Sequence, residues 1–185
     1  MAEPIPDFPT REGRTIRLRP WTHADADTVI AAGRDDFITL ITTVPAQADA
    51  ATAREFIDRQ IGRPETDLGH ARVIADKATD EAIGHFYVSL VHARLGRATM
   101  GYWILPDRRV RGAASEALGL ASDWALDDIG LARVTLYIEP SNEASRRTAA
   151  RVGFREEALL RDWETYDDGA THDMLSLVRL RDSPS

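Results

Sequence analysis

The chain has 185 residues, 43% of them hydrophobic and 29% charged, with 12 glycines and 9 prolines, a composition that points to one globular domain rather than a disordered or fibrous chain. Its 23 basic and 30 acidic residues leave a net charge of −7, which repels nucleic acid, and the lack of any cysteine excludes disulfides, thiolate zinc sites, iron–sulfur clusters and cysteine nucleophiles. No window approaches the roughly 18 uninterrupted apolar residues of a membrane span, and residues 1–10 lack the basic start and apolar run of a signal peptide, so a cytoplasmic location without membrane or nucleic-acid partners is expected.

Residues 1–13 are polar and proline-spaced and are expected to lie over the surface, ahead of a domain spanning 14–181 and a tail at 182–185. Residues 15–19 alternate, with Ile16 and Leu18 on one face and Arg17 and Arg19 on the other, as a half-buried strand does; Pro20 ends it. A short capped helix runs from Thr22 to Ala32 and stops at Gly33. Residues 35–44 mix acidic and apolar positions without a period, and 51–61 read as a second helix. Residues 71–75 and 82–91 flank Lys77-Ala78-Thr79-Asp80 as a hairpin, and 99–105 form a further strand ended by Pro106. Ala114, Leu118, Ala121, Ala125 and Ile129 then recur at helical spacing, with Gly130 as the stop.

Residues 133–139 alternate again, placing Val134, Leu136 and Ile138 opposite Thr135, Tyr137 and Glu139. A helix over 142–152 closes at Gly153, and strands at 154–166 and 171–180 flank the turn Asp167-Asp168-Gly169. The order β α α β β β α β α β β predicts a single α/β domain: a mixed, mostly antiparallel sheet of about seven strands flanked by about four helices.

The chain has no G-x-G-x-x-G, no Walker A loop and no H-E-x-x-H. His85 and His92 fall seven apart on one expected strand, an odd offset that sends them to opposite faces, so no metal site is expected. The chemistry gathers instead at Arg108-Arg109-Val110-Arg111-Gly112-Ala113-Ala114-Ser115, which leaves a strand and opens the long helix. A helix start exposes unpaired N–H groups and partial positive charge, small side chains let an anion approach the backbone, and three arginines reinforce it in an otherwise acidic chain. The same residues also suit an ordinary helix start with solvated arginines.

Arg109-x-x-Gly112-x-Ala114 resembles the acetyl-CoA pyrophosphate loop, R/Q-x-x-G-x-G/A, of the GNAT N-acetyltransferase superfamily. Gly101-Tyr102-Trp103-Ile104-Leu105-Pro106 resembles the strand before that loop. Asn142-Glu143-Ala144-Ser145 with Arg151-Val152-Gly153-Phe154 resembles the N-x-x-S … G-F block of its RimJ/RimL-like branch. The resemblance covers roughly residues 14–180 in element order.

It implies that acetyl-CoA is the cosubstrate, with no metal. Main-chain N–H groups of Val110, Arg111, Gly112, Ala113 and Ala114 would hold the pyrophosphate beside Arg109, Ser115 would add a hydroxyl, and the strand edge at Ile104 would pair with pantetheine. Tyr102 would offer its backbone N–H to the thioester carbonyl. Asn142 would bond the pantetheine arm, and Ser145 would lie near the sulfur; read alone, Asn142 is equally a helix N-cap and Ser145 a first-turn residue.

Glu139, at a strand end on the face away from the apolar one, is the candidate base; a solvated strand-end carboxylate is its plain alternative. The RimI-like branch carries its glutamate where this chain has Tyr137 and its acid tyrosine where this chain has Ala149, so neither residue is borrowed. Residues 35–44, with Asp162, Trp163 and Glu164, are the expected acceptor contacts, since acidic and aromatic groups suit a cation. The expected activity is transfer of an acetyl group to a primary amine, a protein N-terminal α-amino group or a small cationic amine such as an antibiotic or polyamine, in a possible homodimer. The alternative is a non-catalytic acyl-CoA-binding module.

Overall fold

A computed structural model describes residues 6–66, 69–109 and 112–182. Eight strands form one sheet in these residues: β1 (Arg11–Glu12), β2 (Ile16–Arg19), β3 (Gly69–Asp76), β4 (Ala82–Ser89), β5 (Arg97–Ile104), β6 (Arg133–Ile138), β7 (Arg155–Thr165) and β8 (Thr171–Leu180). Five α-helices accompany them: α1 (Ala26–Ala32), α2 (Asp36–Ile41), α3 (Ala50–Ile61), α4 (Ala113–Asp123) and α5 (Glu143–Arg151). The sheet order is β1-β2-β3-β4-β5-β6-β8-β7, and every neighbouring pair is antiparallel except β5 and β6, which run parallel. A parallel pair needs a crossover, and α4 is that crossover.

Strand alternation sorts the core into two layers. Ile16, Leu18, Phe86, Met100, Leu136 and Leu177 face α4 and α5. Val73, Ala75 and Trp103 face the other way, onto Val29 of α1 and Phe56 and Ile57 of α3. Local caps fix where the helices begin. Asp49 accepts from the N–H groups of Ala51 and Thr52 at the start of α3, and the Asp49 N–H in turn donates to the Thr52 hydroxyl oxygen. Burying Phe56 and Ile57 then stabilises α3 by roughly 1.5–3 kcal/mol per side chain.

The structure departs from the sequence expectation in four places. Residues 35–44 contain α2, a short helix whose start is capped by Asp35, accepting from Ile38 N–H at 2.8 Å. The N-terminal segment is not wholly superficial: Phe8 is fully buried and stacks on Trp124 at 4.2 Å, and β1 adds to the sheet edge. The helix expected to run unbroken to Gly130 widens into a π-helical turn at Trp124–Asp128, where Ile129 N–H reaches back to Trp124 O, and Trp124 Nε1 donates to Asp7 O. Finally, β4 ends at Ser89, so His92 lies in the following turn rather than on the strand with His85.

One feature of the sheet positions the candidate site. β5 and β6 pair only from Arg97↔Arg133 to Met100↔Leu136. Beyond that point β5 stays with β4 as far as Ile104↔Gly84, while β6 stays with β8 as far as Ile138↔Leu175, and the sheet splits between them.

Candidate active site

The split exposes main chain. Leu105 N–H donates to Ile83 O, so by antiparallel alternation residues 101, 103 and 105 turn their polar groups toward β4, and Tyr102 and Ile104 turn theirs into the gap. Arg109 Nε reaches the Ile104 carbonyl from that side, at 3.5 Å. Two cavities open from the gap, one of about 530 Å³ toward α4 and α5 and one of about 380 Å³ toward α2 and α3.

The larger cavity starts at the N-terminus of α4. Gly112 has φ +95°, a conformation that favours glycine, and a Cβ added there would meet no atom within 4 Å, so the space before the helix is open. Glu116 N–H bonds Gly112 O, and among the described residues the N–H groups of Ala113, Ala114 and Ser115 have no helical partner. The Ser115 hydroxyl is buried and likewise has no hydrogen-bond partner among the described residues. Such a cradle of free N–H groups, an orphaned hydroxyl and nearby Arg109 and Arg151 fits an anion such as a pyrophosphate. Ala113 contributes main chain only, because its methyl is packed in the core. Val110 and Arg111, expected in the same loop, lie outside the described residues.

Further along the gap, α5 brings three polar side chains to the cavity wall. Asn142 caps the helix, its Oδ1 accepting from Ser145 N–H at 3.1 Å, which leaves its amide NH₂ as the available donor. The Tyr102 hydroxyl is buried, lacks a hydrogen bond of normal geometry, and faces the hydroxyls of Ser145 and Thr148. Burial raises its pKa, so it stays protonated.

Glu139 lies one residue past β6, where the two cavities meet. Its Oε1 accepts from the Tyr166 hydroxyl at 2.6 Å, its Oε2 from the Ser141 hydroxyl at 3.3 Å, and His172 Nδ1 stands 3.6 Å away. Tyr166 and His172 pack ring on ring at 4.2 Å. Burial, together with its bond to Glu139, pushes the Tyr166 pKa well above the usual phenol value, so Tyr166 acts as a fixed donor. Glu139 is therefore no freely solvated strand-end carboxylate: its side chain is only 20% accessible and held at both oxygens.

The smaller cavity is walled by side chains from distant parts of the chain. Phe37 and Ile41 of α2, Phe56 of α3, Trp103 of β5 and Met174 of β8 make its apolar surface, and Glu164 joins Glu139 as an acidic group. Among the expected acceptor contacts, Phe37, Ile41 to Val44 and Glu164 reach it. Asp35 is spent on its cap, and Trp163 lies outside, half exposed and packed on Tyr137 at 5.3 Å. Asp162 sits at a bulge with φ 48° and bonds Asp173 and Thr171. Ala149 is buried and offers no acid.

Tyr102, Ile104, Arg109, Gly112, Ala114, Ser115, Glu139, Asn142 and Ser145 are thus brought to one continuous cleft. Sequence reasoning missed Tyr166, His172 and Thr148. The turn Asp167-Asp168-Gly169 folds β8 back beside β7 and so brings His172 to Tyr166, but nothing in the order of residues shows that both meet Glu139.

A family model described as "Acetyltransferase (GNAT) domain" matches residues 15–155. The chain is 27% identical over 177 residues to the uncharacterized N-acetyltransferase YoaA of Bacillus subtilis, covering 95% of this chain and 99% of that protein. It is 28% identical over 149 residues to the uncharacterized N-acetyltransferase p20 of Bacillus licheniformis, covering 80% of this chain and 84% of that one. Among solved structures it is similar to Mycobacterium smegmatis RimJ in complex with CoA-disulfide, with a TM-score of 0.78 and 25% identity over 89% of this chain and 81% of that one.

Proposed function

The chain belongs to the GNAT acetyltransferase family, and from that premise we propose that it transfers an acetyl group from acetyl-CoA to a primary amine. The observation that carries this reading is the meeting of two cavities at the β5–β6 split, one suited to a phosphate-bearing cosubstrate and the other to an amine beside carboxylates. Bound acetyl-CoA would supply an activated thioester.

The residues of the chain would do the rest. The N–H groups at the start of α4, with Arg109 and Ser115, hold the pyrophosphate; Ile104 main chain and the Asn142 amide hold the pantetheine arm. The Tyr102 N–H, facing the gap, donates to oxygen that gains negative charge during transfer. Glu139 takes the proton from the ammonium, directly or through water, and its bonds from Tyr166 and Ser141 keep it aimed at the junction. The Ser145 hydroxyl, beside that of Tyr102, stands where a departing thiolate would need a donor. A protein N-terminal α-amino group is the first acceptor class, in keeping with the RimJ/RimL-like motifs; a small cationic amine is second, favoured by the pairing of Glu139 with Glu164. No observation favours a non-catalytic CoA-binding module.

Thiol release from acetyl-CoA with a panel of peptide and small-molecule amines, with products weighed by mass spectrometry, tests the proposal. A product heavier by one acetyl group is expected. Tight acetyl-CoA binding with no thiol release from any amine would sink it.

A further inference from the structure

The smaller cavity has charged groups of opposite sign at its two ends. Glu139 and Glu164 stand at the β6–β7 end, and Arg63 at the β4 end. Arg63 opens a short 3-10 turn after α3; its guanidinium lies 4.2 Å from the Tyr87 ring centre and its Nε donates to Gln60 Oε1 at 2.6 Å. Unlike Arg19 or Arg133, it forms no salt bridge with a carboxylate among the described residues. A cation that lines a cavity without an anionic partner is suited to an anion brought by a ligand.

His85 strengthens that pole. Trp21 Nε1 can only donate, so His85 Nδ1, 3.2 Å away, must accept, and the imidazole proton sits on Nε2. Burial, with the nearby Arg63 charge adding to it, pushes the His85 pKa down to about 3, so the ring is neutral at ordinary pH and keeps one fixed N–H. A guanidinium and a neutral donor thus both line this end of the cavity, chemistry that suits a carboxylate.

The cavity of about 380 Å³ sets the scale, room for a small molecule between the two poles. Phe37, Phe56 and Trp103 make the walls between them apolar.

We propose that the acceptor is a small aminocarboxylate, with Arg63 and His85 holding its carboxylate while its amine faces Glu139. This rests on the acetyl-transfer reading and sets a third acceptor class in place of the protein α-amino group and the cationic amine. A polyamine would set a second cation against Arg63, so purely cationic amines are disfavoured.

The test is calorimetric binding to the protein with CoA present, using matched pairs: methionine against methioninamide, 4-aminobutyrate against its amide, phosphoethanolamine against ethanolamine, Ala-Asp against Ala-Asn peptide amides, and putrescine alone. At least one free aminocarboxylate is expected to bind about tenfold or more tighter than its amide, with putrescine weaker than both. Arg63→Gln should bring that acid to the level of its amide, and Arg63→Lys should keep part of the preference. Equal binding of acid and amide in every pair, a preference that survives Arg63→Gln, or putrescine as the tightest ligand would overturn the proposal. A preference confined to the peptides, or to phosphoethanolamine, would overturn it in favour of a protein chain start or a phosphate. If Arg63→Gln does not fold, the pairs with the natural protein decide alone. Product mass separates the two levels: an acid that binds through Arg63 but is never acetylated sinks the transfer reading and leaves the anion site standing.

Discussion

The two cavities share Phe37, Ile41, Tyr102, Trp103 and Glu139, but the one on the α4–α5 side extends to Gly112, Ala114 and Ser115 at the start of α4, whereas the one on the α2–α3 side extends to Phe56, Arg63, His85, Glu164 and Met174, side chains drawn from distant parts of the chain. Under the proposed reading, the main-chain N–H groups at the start of α4 recognise the phosphate that every donor molecule carries, because they distinguish little beyond charge and geometry. The side chains peculiar to the second cavity supply the shape, charge and hydrogen-bonding pattern that discriminate one acceptor from another. On that reading, binding of the common cosubstrate and choice of the variable one draw on different materials around one split.

Gly112→Asp strikes the main-chain side and has the largest expected effect. It sets a negative charge against the phosphate cradle, at a φ that aspartate tolerates better than most residues. Natural protein at a hundredfold excess of acetyl-CoA over its Kd should gain about 2.7 kcal/mol, or roughly 5–10 °C in Tm. In the variant that shift should vanish, while the strain of a side chain at φ +95° lowers Tm without ligand by a few degrees. A shift of full size would show that the cosubstrate does not lie on α4.

Glu139→Gln acts at the junction and should separate the two sides. The amide keeps an oxygen for Tyr166 but cannot take a proton, so turnover at pH 7 should fall roughly 10² to 10⁴-fold with the acetyl-CoA shift intact. Raising the pH should restore part of the rate, since more amine is already neutral. Rate profiles from about pH 6 to 9.5 that run parallel, less than threefold apart, would remove Glu139 from proton transfer.

The smallest effect probes the side-chain side through stability. His85, at about 3, and His70, lowered by burial, both have folded pKa values below the unfolded value of about 6.5. The unfolded chain therefore binds more protons in that window, and stability, complete above about pH 6.5, is lost as pH falls toward 3, by up to about 1.4 kcal/mol per pH unit for His85. His85→Gln, which still offers Trp21 an acceptor, should make that fall shallower in urea melts at pH 7, 6 and 5. An unchanged slope would mean that the acid sensitivity arises elsewhere.

The same contrast explains what the sequence made legible. The residues proposed to hold the phosphate, Arg109, Gly112, Ala114 and Ser115, fall close together between a strand and a helix whose periods are both clear, and so the motif could be read without coordinates. Asn142 and Ser145 were legible for the same reason, although the cap that Asn142 makes and the donor it keeps could be separated only in three dimensions. The acceptor wall was largely hidden because Arg63, His85 and Tyr166 lie far apart in the chain, and no local pattern marks a residue as facing a gap between strands. α2 was missed because six residues are too few for a helical period to show, although Asp35 three positions before Ile38 carried the cap signal. The buried Phe8 was hidden by its polar and proline neighbours, and the wide turn at Trp124 preserved enough spacing to pass for regular helix.

The parallel β5–β6 pair has a consequence for how such a protein can change. α4 makes that pairing possible and also presents the phosphate cradle, so alterations there disturb folding and cosubstrate binding at once. The turn between β7 and β8 is different: it is exposed at its tip, with Tyr166 and Glu164 at its base. Exchanging Glu164 and the exposed residues 167–170 should redirect acceptor choice at little cost in stability, whereas α2, whose Phe37 and Ile41 line both cavities, would alter the fit of both substrates together, so specificity can drift most freely at the β7–β8 turn.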